Sequence, residues 1–212
     1  HPDLSAVAFT GSLMGGRAIM DAAAARKQPI PVFAEMGSLN PVFLLPEALK
    51  KRSKDIATGF LNSLTMGVGQ FCTNPGVLLA LDSPELDDFL KHLSDGIGRI
   101  QPRTMLHSGI FQNYNSILKI FCQTQGVRIH TRSGITSNPA RIEADTLVLE
   151  TDYTTWCMRE ELRQECFGPA SIVVRIKNLE ELLSFARNME GSLPATIHGT
   201  HDDLEKYKSL LQ

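Results

Sequence analysis

Long apolar runs are missing from this sequence: no stretch approaches the roughly eighteen apolar residues that a membrane-crossing helix needs. An excess of either charge is missing too. The 212 residues carry 21 Lys+Arg against 23 Asp+Glu, a formal net charge of -2, with no dense Lys/Arg run and only 7% aromatic residues. That balance leaves no electrostatic footprint for a phosphate backbone or an anionic membrane, so neither nucleic acid nor membrane is expected as a partner. Cysteine is sparse. Cys72, Cys122, Cys157 and Cys166 show neither a paired metal-ligand spacing nor the density of a secreted disulfide scaffold, which points to a reducing, cytoplasmic setting. The six histidines, at 1, 92, 107, 130, 198 and 201, form no HExxH or other compact ligand set, and no catalytic metal is expected. The full GxGxxG dinucleotide fingerprint is also absent.

What is present is an ordinary globular composition, 42% hydrophobic and long enough for one sizeable core or two small ones. Collagen-like, coiled-coil and disordered classes are excluded. Short apolar segments alternate with longer helical ones. Strands are expected at 5–10, 31–34, 41–45, 76–81, 127–130, 146–149, 171–176 and 195–198, and helices at about 14–27, 51–68, 84–97, 108–125, 154–164, 178–189 and 201–211. That order predicts α/β architecture, with crossovers long enough for parallel pairing. Residues 131–145, with Gly134, Pro139 and small polar side chains, read as a surface loop. The Arg/Lys group at 50–54 reads as a helix's polar face. Phe111, Tyr114, Ile117, Leu118 and Phe121 read as core at helical spacing, with Cys122 on the same apolar face. At the start, His1-Pro2-Asp3 leads at once into an apolar strand, and a helix closes the sequence; both ends suggest a piece of a longer protein.

Several residues carry possible chemistry, each with a plainer reading beside it. The turn Thr10-Gly11-Ser12 follows a strand and opens a helix, where free amides and the helix dipole suit a phosphate; an ordinary serine cap fits equally well. Cys72, in Gly69-Gln70-Phe71-Cys72-Thr73-Asn74-Pro75-Gly76, lies in a loop between a helix and a strand. It reads either as a thiol nucleophile or as a small buried hydrophobe. Glu35, at the end of a short strand, reads either as a general base facing a cleft or as a solvated carboxylate. Glu165 either orients a hydroxyl-bearing ligand or accepts a backbone N–H.

Taken together, FTGSLMGGR at 9–17, AEMGSLNPVF at 34–43, GQFCTNPG at 69–76 and QECFGP at 164–169 closely resemble, in order, the motifs of the aldehyde dehydrogenase superfamily. ATIHGT at 195–200 is similar to the strand that follows, and the resemblance covers essentially the whole chain. Within the superfamily the chain looks most like the branch acting on 2-oxoglutarate semialdehyde (2,5-dioxovalerate), where EMGS, with Ser38, stands in place of the commoner ELGG. The resemblance implies a three-layer α/β fold with a mostly parallel sheet, truncated at both ends. Residues 1–34 would be a remnant of the cofactor-binding domain and 35–212 an incomplete catalytic domain. It implies NAD or NADP as cofactor, a small aldehyde as substrate and a homo-oligomer, dimer or tetramer. Cys72 would attack the aldehyde to give a thiohemiacetal and then a thioester, with its backbone N–H contributing to the oxyanion site, and Glu35 would activate the hydrolytic water. Glu165 and Phe167 would lie at the nicotinamide ribose, Gly11 and Ser12 at the pyrophosphate, and Met36 and Gly37 beside the cofactor. Family enzymes are more than twice this length, so the isolated chain is expected to show little or no turnover. A cofactor-independent thiol acyltransferase or hydrolase, and a catalytically silent interaction domain, are the alternatives.

Overall fold

A short strand, β1 (Val7–Gly11), turns directly into α1 (Leu13–Ala24) because Ser12 caps the helix, its Oγ accepting from the Gly15 amide at 3.1 Å. The chain returns in β2 (Val32–Met36), parallel to β1, with Val7 beside Val32 and Gly11 beside Met36. Gly16 lets α1 lie close to β2, since a Cβ there would sit 2.2 Å from Met36 Sδ. The Arg26 guanidinium, just past the helix, donates to the carbonyls of His1, Pro2 and Leu4 and ties down the segment before β1. In this computed structural model, which describes residues 1–211, these elements form one compact unit, His1–Ser38, and the chain from Leu39 onward forms a second.

In the second unit, strands alternate with helices. β3 (Val42–Leu44), α2 (Pro46–Thr65), β4 (Val77–Leu81) and α3 (Pro84–Ile97) come first. The short β5 (Arg103–Thr104), α4 (Ser108–Gln123), β6 (Arg128–Arg132), the short β7 (Glu143–Ala144) and β8 (Leu147–Asp152) follow. The unit ends with α5 (Tyr153–Met158), β9 (Ala170–Ile176), α6 (Leu179–Asn188), β10 (Thr196–His198) and α7 (His201–Lys206). Six strands form one sheet in the order β10-β3-β4-β9-β8-β6, all parallel except β6 against β8.

The strand side chains explain the layers. Leu78 and Ala80 of β4 point to a core with Ile56, Phe60, Phe89 and Leu93 of α2 and α3, whereas Val77 and Leu79 point to Tyr114, Phe121, Trp156 and Phe185 of α4, α5 and α6. Helices therefore cover both sheet faces, which is why the central strands are apolar throughout. The expected three-layer, mostly parallel α/β fold is what forms.

Three expectations need correction. Helix α2 begins at Pro46, not 51. Leu45 provides no cap, but Asp203 Oδ1 and Oδ2 accept the Glu47 and Ala48 amides at 3.0 and 2.9 Å, so the capping carboxylate comes from 155 residues downstream. Arg52 breaks the helical backbone with φ -143 and ψ 24, and the stretch read from the sequence corresponds to the part beyond this kink. Cys122 is exposed, not on the apolar face: the buried stripe of α4 is Tyr114, Ile117 and Phe121, and the next residue turns away from it. Finally, 131–145 is not wholly loop. Thr131 and Arg132 extend β6, 139–141 form a short 3-10 turn, and Glu143–Ala144 pair antiparallel with Arg103–Thr104.

Candidate active site

The second unit carries Cys72 at the tip of a β-turn. The Asn74 amide donates to the Phe71 carbonyl at 3.0 Å, which leaves Cys72 and Thr73 as the central residues, both exposed. Exposure excludes the reading of Cys72 as a small buried hydrophobe. The turn is clamped from below by Asn40, which is 3% exposed. Its Nδ2 donates to the carbonyls of Cys72 and Asn74, each at 2.8 Å. Asn40 has φ 49, a left-handed conformation that asparagine tolerates better than most residues.

Asn74 makes the next connection. Its Nδ2 donates to the Gly168 carbonyl at 3.0 Å, which joins the Cys72 loop to the segment carrying Glu165 and Phe167. Backbone meets backbone at the same place: a Cβ on Gly69, whose φ is 66, would lie 2.2 Å from the Gly168 carbonyl carbon. Gly168 in turn lies on the buried Tyr114 ring, where a Cβ would come within 2.3 Å of Cδ2. On the other side, the Gly76 amide donates to the Leu39 carbonyl at 2.9 Å. Gln70 holds the flank, donating to the Gly67 carbonyl and accepting the Leu106 amide, both at 2.9 Å. Asn40-Pro41, Asn74-Pro75 and Gly168-Pro169 precede β3, β4 and β9, three neighbouring parallel strands in the middle of the sheet, so the site lies at the end of the sheet where these strands begin.

The other thiols are placed differently. Burial pushes the Cys166 thiol well up, and the nearby Glu165 charge adds to this, so Cys166 is held as an unreactive thiol. Cys157 is exposed on α5 and Cys122 on α4. Among the described residues no group of three or more His, Cys, Asp or Glu side chains could hold a metal, and no helix is long and apolar enough to cross a membrane.

The first unit gathers the remaining candidates. The β1–β2 register sets Thr10 beside Glu35 and Gly11 beside Met36, and the Gly37 amide donates to the Gly11 carbonyl at 3.4 Å. Ala8, Thr10, Phe33 and Glu35 are exposed, and with Phe9 and Ala34 they line an open depression. Ser12 is the helix cap that one reading required. The first turn of α1 has no acidic residue, and Leu13 and Met14 are exposed, so the positive end of the helix is left uncompensated at the surface.

Sequence reasoning missed Asn40, Asn74 and Gln70. The two asparagines each precede a proline, a pattern that reads as turn chemistry, and only the fold shows their carboxamides holding a loop from within.

The fold thus sets an exposed thiol on a clamped turn in an α/β unit with helices on both faces of the sheet. The comparisons narrow the class: the aldehyde dehydrogenase family model matches residues 1–107, and the chain belongs to that family. It is similar to alpha-ketoglutaric semialdehyde dehydrogenase 2 of Azospirillum brasilense, 41% identical over 211 residues, covering 100% of this chain and 40% of the relative. It is also similar to the alpha-ketoglutaric semialdehyde dehydrogenase of Acinetobacter baylyi, 37% identical over 216 residues with the same coverage. The chain thus spans about 40% of the length of these relatives. In fold it is similar to a betaine aldehyde dehydrogenase variant of Staphylococcus aureus in complex with NAD+, with TM-score 0.80 at 20% identity over 100% of this chain and 43% of that one.

Proposed function

We propose that this chain carries the thiol and the general base of an NAD(P)-dependent oxidation of a small aldehyde, 2-oxoglutarate semialdehyde by preference, to the carboxylate. The observation that carries the reading is Cys72 itself: exposed at the tip of a turn held by Asn40, inside the stretch that matches the aldehyde dehydrogenase family. The substrate class rests on the two semialdehyde dehydrogenase relatives. Dimer or tetramer formation is carried over from the family with it.

Cys72 sulfur adds to the aldehyde carbon, forming a C–S bond as the carbonyl electron pair moves to oxygen. A nicotinamide held beside this thiol would supply the hydride acceptor when bound. Glu35 accepts the proton of the water that completes the conversion to the acid. The start of α1, at Gly11 and Ser12, fits the anionic pyrophosphate, because the residues there are exposed and the first turn holds no competing carboxylate. Glu165, with Phe167, is assigned to the ribose hydroxyls.

The test is absorbance at 340 nm with NAD and separately NADP, using 2-oxoglutarate semialdehyde and a simple aldehyde, with the Azospirillum brasilense enzyme run beside this chain. Little turnover is expected from the chain alone, so protection of Cys72 from iodoacetamide by the aldehyde is measured in parallel. Aldehyde-dependent reduction lost in Cys72→Ser, or aldehyde protection of Cys72, supports the reading. An active relative beside a chain whose Cys72 neither turns over nor is protected overturns it.

A further inference from the structure

The peptide geometry of the 71–74 turn goes further than the choice of nucleophile. All peptide bonds here are trans, so each N–H points opposite to the carbonyl of the preceding residue. The Phe71 carbonyl is turned inward to accept the Asn74 amide at 3.0 Å, which turns the Cys72 N–H out of the turn. The Cys72 carbonyl is drawn inward to Asn40 Nδ2 at 2.8 Å, which turns the Thr73 N–H away from Asn40. Neither amide donates to any group among the described residues, whereas the Phe71, Cys72 and Asn74 carbonyls, the Asn74 amide and Asn74 Nδ2 are all bonded. Asn40 has the buried position and the two matched acceptors needed to hold this orientation, and Asn74 repeats the same carboxamide-to-carbonyl contact one step further along.

We infer that Asn40 is a positioning residue that orients two backbone donors, the N–H groups of Cys72 and Thr73, toward the oxyanion formed when the Cys72 thiolate adds to a carbonyl. The inference rests on the nucleophile reading above and adds the Thr73 amide and the residue that aims it. Donors fixed before the reaction stabilise the developing charge without reorganisation, and loss of one such donor lowers turnover by about 10²–10³-fold in serine enzymes. Asn40 acts only through the turn, so a smaller loss is expected on its removal.

Two reagents separate positioning from mere support. With 4-nitrophenyl acetate, sulfur bonds to the acyl carbon and the carbonyl pair moves to oxygen. The C=O bond then re-forms as the C–O bond to 4-nitrophenolate breaks, and the thiol proton goes to solvent. Iodoacetamide alkylates the same sulfur by displacing iodide from a saturated carbon and builds no oxyanion. The variants are Asn40→Gly, which accepts the left-handed backbone without a side chain, and Asn40→Asp, which keeps the shape but not the donor. On the 212-residue chain, acylation of Cys72, located by peptide mass, is expected to slow at least about tenfold in both variants while alkylation stays within about twofold. Unchanged acylation, or an equal fall in both rates, overturns the inference. A wild-type chain alkylated at Cys72 but never acylated there overturns the nucleophile reading, and this inference with it.

Discussion

A methyl group on Gly69 has nowhere to go. The residue sits at φ 66, and the added carbon would lie 2.2 Å from the Gly168 backbone. Gly69→Ala is therefore expected to cost about 2–4 kcal/mol, from left-handed strain plus a backbone clash, as measured by urea unfolding. It should also slow Cys72 acylation, because the clash separates the two segments that Asn74 joins. Gly168→Ala meets the Tyr114 ring instead and should destabilise for a different reason, overpacking of a fully buried aromatic. At this scale the motif residues were legible in the sequence: Cys72, Glu35 and Glu165 stand out by chemistry and order. Asn40 was not, since its acceptors lie 32 and 34 residues away and nothing local marks a carboxamide as pointing inward. Nothing around Cys166 in the sequence marks how its thiol is held. The structure adds a burial that no neighbouring sequence letter carries.

Between elements, the decisive contact is the carboxylate of α7 at the start of α2. Asp203 is 1% exposed and accepts the amides of Glu47, Ala48 and Thr200, with the Thr200 hydroxyl donating as well. Asp203→Ala leaves the buried Ala48 amide and the half-buried Glu47 and Thr200 donors without this acceptor. The expected loss is about 3 kcal/mol in urea unfolding, with Asp203→Asn losing less because one oxygen acceptor remains. The same contact explains why the strands and α3 were placed well from sequence and the start of α2 was not. Helix α3 has its own Ser83 cap and Pro84 at its first position, whereas Leu45 cannot cap anything. The small β5–β7 pair escaped notice because two-residue strands carry no periodicity.

Across the whole molecule, stability should depend on acid through one buried carboxylate. Glu150 on β8 is 3% exposed; burial alone would raise its pKa, but hydrogen bonds from His130, Arg128 and Arg175 outweigh this and hold it at about 2. Arg175 extends the network to Asp82 and Asp87, tying β9 to the start of α3. A folded-state pKa below the ordinary 4.5 stabilises the fold above that value, and the benefit is lost as pH falls through 4.5 toward 2. The loss should amount to about 2–3 kcal/mol in urea unfolding between pH 6 and pH 2. Glu150→Gln should flatten that part of the pH curve and lower stability at pH 7, because the arginines lose their buried partner. A surface prediction concerns the first unit. Phe33, 69% exposed on β2, presents an apolar ring on an uncovered parallel strand pair, so Phe33→Ser should reduce concentration-dependent association in sedimentation velocity.

The placement of Asp203 also sets an order in time. A ribosome makes Pro46 and Glu47 long before Asp203, and β3 long before β10, its partner at Thr196 to His198. Until some 150 further residues have been added, the first turn of α2 has no carboxylate for its amides and one side of β3 has no partner. The growing chain must therefore carry one unpaired side of β3 while some 150 further residues are made, and the register of that side is fixed only once Thr196 to His198 are in place.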